Sequence, residues 1–136
     1  MLSSAIAKNF TTVKARRKSL REKAYLVHNF NANLQSWYDD LSPDLKLTFP
    51  IDPKSTLRNL RVEHLLYLHL SYYGNMAAVH SILGHPWNLK NAPFVDQDDS
   101  VVKNQIETSG IALEETSRNI ILITRSISVD TVAPVW

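Results

Sequence analysis

The chain has 136 residues, of which 44% are hydrophobic, 21% are charged and none is cysteine. This length suits one domain with a buried core, and the lack of cysteine excludes disulfides and thiolate metal sites. Only 3 glycines are present, which argues against a turn-rich β-sandwich and against glycine-rich phosphate loops. No apolar run approaches the ~18 residues that span a bilayer.

Positive charge is concentrated at the beginning of the chain. Residues 1–25 hold seven Lys/Arg and a single acidic residue, Glu22, whereas the remainder has a net charge of −4. A solvated helix face is the simplest interpretation of this basic segment, and nucleic-acid contact or a mitochondrial presequence over residues 1–21 are the alternatives. Residues 1–24 are therefore interpreted as a basic helical lead-in to residues 25–136.

The first half of the chain predicts two helices and a connection. The first helix extends from Ser4 to Lys18 and has a thin apolar stripe. The second extends from Leu20 to Leu41, with apolar residues at every third or fourth position until Ser42-Pro43 ends it. Whether these two helices are continuous is open. Residues 42–60 are expected to form an extended loop or, alternatively, a short strand.

A third helix, from Asn59 to Leu83, is the strongest feature of the pattern. Fourteen of the 22 residues from Val62 to Leu83 are apolar or aromatic, and they lie all round the helix. Such a helix is typically buried between neighbours. A polar loop is expected over residues 85–99.

Ser100 is expected to cap a fourth helix that extends from Val101 to Ile127. Its predicted apolar stripe includes two small polar residues, Ser109 and Ser117. Residues 131–136 look like the start of a fifth helix. The sequence therefore predicts an all-α fold of packed antiparallel helices, about four with the start of a fifth, as part of a larger helical domain.

No grouping of side chains predicts catalysis or metal binding. The histidines at positions 64, 69, 80 and 85 are separated by 5, 11 and 5 residues, whereas a helical zinc pair needs a spacing of about four. We therefore predict no catalytic, cofactor-binding or metal-binding residue and no cofactor in this chain. His69 and His80 are expected in the core, hydrogen-bonded to backbone or to tyrosine.

Three segments, in order, carry a family resemblance. The first segment, residues 34–45, contains Leu34, Trp37 and a Leu-Ser-Pro-Asp-Leu stretch. The second, residues 64–82, contains the runs Leu68-His69-Leu70, Tyr72-Tyr73-Gly74 and His80-Ser81-Ile82, and Pro86-Trp87 follows it. Ser117-Arg118-Asn119-Ile120 and the terminal Pro134-Val135-Trp136 complete the set. Together these segments resemble the fungal-specific transcription factor domain, which is the middle homology region of zinc-cluster (Zn2Cys6) regulators.

The resemblance covers residues 25–136 and implies a partial, non-catalytic regulatory domain that acts in the nucleus. Its implied partners are other parts of the same transcription factor, coregulator proteins or a small-molecule effector, with self-association but no membrane. The six-cysteine zinc cluster through which the family binds DNA is missing from this sequence, so neither zinc nor specific nucleic-acid binding is expected of this chain. The alternatives are a stand-alone helical interaction module and a mitochondrial helical protein.

The motif residues are expected in the buried core or, alternatively, around a ligand cavity. They are Trp37, His69, Tyr72, Tyr73, His80, Pro86, Trp87, Pro134 and Trp136. The sequence departs from the family pattern at Ser81, where arginine is common, and at Thr116-Ser117, which replace a small alanine pair.

Overall fold

The computed structural model describes residues 2–48, 62–85 and 99–126, which form an all-α fold as predicted. We number its helices α1 (Leu2–Phe10), α2 (Val13–Arg16), α3 (Leu20–Asp39), α4 (Val62–Gly84) and α5 (Ser100–Ser126), and a 3₁₀ helix covers Pro43–Leu45. The predicted start of the third helix at Asn59, most of the loop over residues 85–99 and the start of a fifth helix over 131–136 lie outside the described residues.

The single helix that was predicted from Ser4 to Lys18 is wrong, because α1 ends at Phe10 and Thr12 caps a new helix within this segment. The Thr12 hydroxyl accepts a hydrogen bond from the Ala15 N–H at 3.2 Å and begins α2. Ser19 and Glu22 then form a capping box that begins α3, with the Glu22 carboxylate accepting from the Ser19 N–H at 2.7 Å. That hydrogen bond lowers the pKa of Glu22. The first and second predicted helices are therefore not continuous.

A different residue from the one predicted caps α5. Asp99, rather than Ser100, accepts hydrogen bonds from the backbone N–H groups of Val101 at 3.1 Å and Val102 at 3.3 Å. Aspartate is a good N-cap, and its charge also interacts favourably with the positive end of the helix dipole. The Arg21 guanidinium lies 3.8 Å from this carboxylate, so the same side chain connects the beginnings of α3 and α5.

α4 lies at the centre of the fold, as its all-round apolar pattern predicted. It packs against α5, α3 and α1. Asn31 and Trp37 of α3 contact His80 and Tyr72 of α4, respectively, so the two helices are antiparallel. Eight side chains of α4 are buried: Leu65, Leu66, His69, Tyr72, Met76, Val79, His80 and Leu83.

The buried residues of α5 follow a seven-residue repeat: Val102, Ser109, Thr116 and Ile123. The prediction placed Ser117 on this stripe, and that assignment is wrong, since Ser117 is exposed and Thr116 is buried. Thr116 lies seven positions after Ser109 and shares its face, whereas the next residue is rotated by about 100° around the helix. Thr116 therefore places a threonine methyl and hydroxyl in the core.

Gly84 allows α4 and α5 to approach closely. A methyl group at this position would lie 3.0 Å from the carbonyl oxygen of Ser109 and 3.3 Å from the backbone nitrogen of Gly110. Both atoms belong to the backbone of α5, which cannot move aside as a flexible side chain can. The same addition at Gly74 meets no atom within 4 Å.

We expect Gly84→Ala to destabilise the fold and Gly74→Ala to stabilise it. The first change overpacks a backbone contact, at a cost of about 1–3 kcal/mol. The second replaces an exposed glycine inside a helix, where alanine is favoured by up to ~1 kcal/mol. Urea unfolding followed by circular dichroism measures both free energies. Equal stabilisation by the two changes would show that α4 and α5 do not meet at Gly84.

Candidate functional site

Aromatic side chains from two of the family-like segments meet between α3 and α4. Trp37 stacks on Tyr72 with ring centroids 5.8 Å apart, and Tyr38 contacts Tyr72 at 4.8 Å. Tyr73 meets Tyr72 edge-on at 5.1 Å and lies 6.4 Å from the ring of His69. Offset and edge-on arrangements of this kind are the ones that aromatic rings prefer. We call these five residues the aromatic cluster.

The phenol groups of Tyr72 and Tyr73 stay protonated at neutral pH. Burial, with a further contribution from the neighbouring Tyr38, raises the pKa of both Tyr72 and Tyr73 to about 12. A general acid or base works best when its pKa is near the operating pH. These two hydroxyls are therefore suited to donating hydrogen bonds rather than to exchanging protons at neutral pH.

His69 fixes the 3₁₀ helix that follows α3 onto α4. Its Nε2 donates to the carbonyl oxygen of Leu45 across 2.6 Å, so of the two kinds of partner that were predicted, backbone or tyrosine, it has a backbone one. Its Nδ1 is buried and has no hydrogen-bond partner among the residues that the structure describes. Burial lowers the pKa of His69, so the ring that packs edge-on against Tyr38 at 5.6 Å is neutral.

His80 joins all three long helices through side-chain hydrogen bonds. Its Nε2 lies 2.9 Å from Asn31 Oδ1 on α3, and its Nδ1 lies 3.2 Å from Ser109 Oγ on α5. The Asn31 oxygen can only accept, so Nε2 carries the proton and Nδ1 accepts from the Ser109 hydroxyl. Gln105 donates to the same hydroxyl oxygen at 3.3 Å. We call these four residues the His80 junction.

The His80 junction is satisfied by a neutral imidazole. His80 is fully buried, and burial lowers its pKa. The sequence predicted a core position bonded to backbone or tyrosine. The core position is confirmed, but the partners are asparagine and serine side chains. Asn31 was missed, although an asparagine inside a long helix is a weak sign of a side-chain role, because its helix propensity is poor.

Trp37 departs from the buried position that was predicted for it. Its side chain is 42% exposed, because Leu34 and Tyr72 fill the interior of the α3–α4 contact and leave the indole at its edge. There it lines an open groove of about 280 Å³ whose walls also include Asn33, Leu34, Leu68, Ser71, Tyr72 and Asn75. We call this the Trp37 groove. Its walls combine apolar surface with amide and hydroxyl groups.

The remaining motif residues are only partly described. Tyr72 is 8% exposed and Tyr73 is half-buried, while Pro86, Trp87, Pro134 and Trp136 lie outside the described residues.

The boundary that was predicted between a lead-in over residues 1–24 and a domain over residues 25–136 falls within α3. Ala24, on one side of it, belongs to the same buried core as Val27 on the other. Over the ranges described, no three His, Cys, Asp or Glu side chains are grouped as metal ligands, and no helix is long and apolar enough to cross a bilayer.

Comparison of the chain with protein-family models, with curated proteins and with solved structures found no match in any of the three.

The buried histidines predict a pH-dependent stability. Below the ordinary histidine pKa of 6.5, the unfolded chain binds a proton at His80 that the folded chain, with its lowered pKa, does not. The unfolded state therefore gains protons first, and the free energy of unfolding falls as the pH falls from about 7.5 to about 5.5. Only well above 6.5, where the imidazole is neutral in both the folded and the unfolded chain, is this contribution to stability fully present.

The test is urea unfolding across this pH range for His80→Gln and for a control, His28→Gln, at an exposed histidine of α3. We expect the first variant to lose part of the pH dependence, with the rest retained by His69, and the second to keep it. An unchanged slope in His80→Gln would contradict the neutral, buried assignment of this imidazole.

Proposed function

We propose that this chain is a non-catalytic regulatory domain of the kind found in fungal zinc-cluster transcription factors. On this proposal it needs no cofactor of its own and acts in the nucleus. It regulates transcription through contacts with other parts of the transcription factor, with a coregulator protein or with a small effector. The Trp37 groove is the surface through which it makes these contacts.

Support for the family part of the proposal comes from the positions of the motif residues. The segment around Trp37 and the segment around Tyr72-Tyr73 are separated by more than thirty residues, yet they form one aromatic cluster. His80, from the second segment, holds the same two helices together through Asn31. Segments that belong to the core of one domain are expected to pack on one another, whereas unrelated local patterns in a sequence are not.

The observation that carries the interaction part of the proposal is the exposure of Trp37. An indole that stacks on a buried tyrosine at 5.8 Å is held rigidly, while 42% of its surface remains open to a partner. Tryptophan is enriched among the residues that contribute most of the binding energy of protein interfaces. The apolar walls of the groove, with a few polar groups, have the character of sites for apolar ligands or side chains.

The packing of α1 and α2 favours this proposal over a mitochondrial protein with a presequence. Ile6 of α1 and Ala15 of α2 are 5% and 2% exposed. Ile6 belongs to the same core as Val79 and Leu83 of α4. Removal of residues 1–21 would therefore expose apolar surface on the central helix. A segment that fills the core in this way is better explained as a permanent part of the domain.

A reporter assay tests the proposed function. The chain is placed between a heterologous DNA-binding domain and an activation domain in a fungal reporter strain, and reporter output is compared with that of the same fusion without the chain. We expect the chain to change the output and the fusion to be nuclear. Trp37→Ala should remove most of the change, because it deletes the exposed wall of the groove.

The control is Val13→Ala, at a side chain that is 70% exposed and outside the Trp37 groove, and it should behave as the unchanged chain does. Circular dichroism of the purified variants establishes that each is folded. An output independent of the chain, or a folded Trp37→Ala variant with full effect, would contradict the proposal, and import of the chain into mitochondria would favour the alternative.

A further inference from the structure

A second groove lies between the beginnings of α3 and α5, apart from the Trp37 groove. It has a volume of about 340 Å³ and is lined by Arg21, Ala24, Tyr25, His28, Val101 and Gln105. Arg21, Tyr25 and His28 are spaced by four and three residues, so they share one face of α3. We call this the α3–α5 groove.

The walls of the α3–α5 groove expose apolar surface where a helical pair would normally bury it. Tyr25 is 67% exposed and Val101 is 57% exposed, and they come from the two different helices that form the groove. Ala24 is buried beneath them at 1% exposure. An aromatic ring and an aliphatic side chain on either side of a small residue leave space for one apolar side chain of a partner.

The segment that leads into this groove is strongly basic. Lys14, Arg16 and Arg17 are exposed and make no ion pair with any residue that the structure describes. The only carboxylate of the segment, that of Glu22, is engaged by the Ser19 N–H at 2.7 Å. Arg21 brings this positive charge to the groove itself, with 75% of its side chain exposed beside Asp99.

We propose that the α3–α5 groove binds an acidic peptide segment that carries an apolar anchor residue. The anchor packs between Tyr25 and Val101, over Ala24. The carboxylates of the segment are attracted to Arg21 and to the basic residues before α3, which steer its approach. Gln105 and the Tyr25 hydroxyl offer hydrogen bonds to the backbone of the bound segment.

The walls of the groove favour a peptide over a nucleic acid. A nucleic acid would use the positive charge, since phosphate contacts provide most of its non-specific affinity. It would make little use of the aliphatic wall at Val101, because bases bind proteins mainly by stacking on aromatic rings or by hydrogen bonds to their edges. An acidic peptide with an apolar anchor residue would use both features, because its anchor fits the apolar pocket and its carboxylates are attracted to the basic residues beside it.

The test is fluorescence anisotropy of the whole chain with a labelled acidic peptide that contains a central Leu-Trp anchor. Two further probes are the same peptide with the anchor replaced by Ser-Ser and a DNA duplex. We expect the anchored peptide to bind more tightly than the other two, and its affinity to fall as salt increases. Tyr25→Ala and Arg21→Glu should each weaken its binding by about tenfold, as loss of an interface anchor does.

The matched control is Arg125→Glu, which makes the same charge reversal at an exposed position near the other end of α5. It should weaken binding much less than Arg21→Glu, although both variants have the same net charge. The proposal is overturned if the anchored and Ser-Ser peptides bind equally, if DNA binds as tightly as the anchored peptide, or if Tyr25→Ala has no effect while circular dichroism shows it folded. Each of these results would show that the basic segment attracts anions only through its charge, without a specific peptide site in the groove.

Discussion

The His80 junction is the interaction on which the arrangement of the long helices depends. A buried histidine is costly unless both ring nitrogens have partners, because each unsatisfied polar group costs about 1–3 kcal/mol. At His80 the two partners come from different helices, Asn31 on α3 and Ser109 on α5. The imidazole is therefore satisfied only when α3 and α5 both pack on α4 at these positions. Hydrophobic contacts supply most of the driving force for packing, but they are not directional. The hydrogen bonds of the His80 junction are directional.

The position of α3 then determines both the aromatic cluster and the Trp37 groove. Trp37 lies six residues, or nearly two turns, beyond Asn31 on α3. Because α3 is antiparallel to α4, a position two turns further along α3 faces an earlier part of α4. Trp37 therefore contacts Tyr72, and the next residue, Tyr38, contacts His69. His69 in turn holds the chain after α3 through the carbonyl of Leu45. One buried histidine aligns the helices and a second secures the connection, while the tryptophan between them stays partly exposed.

The sequence predicted the large elements well because their signals are strong and local. The all-round apolar pattern of α4 identified a central helix, and Ser42-Pro43 marked the end of the second. The errors arose where weaker local signals compete. Thr12 acts as a cap, but threonine is disfavoured inside a helix by only a fraction of a kcal/mol, so the break between α1 and α2 was missed. Ser117 was preferred to Thr116 because both fit the same irregular stripe, and the choice between neighbours needs the seven-residue register of α5 against α4.

The site was less predictable than the fold, because it depends on which face of each helix meets which. The spacing of Trp37 with Leu34 and Leu41 indicates a shared stripe, but whether the indole is covered depends on how far α4 extends over it. Asn31 and Ser109 carry only weak signals in the sequence, and their role is apparent only when they are seen as the two partners of His80. Tyr25 and Val101 lie on different helices, and their juxtaposition in the α3–α5 groove follows from the packing of α5 on α3.

The most direct test of this account is a double-mutant cycle on stability with Asn31→Ala and Ser109→Ala. These residues contact His80 from two different helices, so each change leaves one ring nitrogen without its partner. Because they act through one imidazole, their effects on the free energy of unfolding should be non-additive by about 0.5–3 kcal/mol, and the coupling should vanish when His80 is replaced by phenylalanine. Strictly additive effects, or a coupling that persists without the imidazole, would show that His80 does not join the helices.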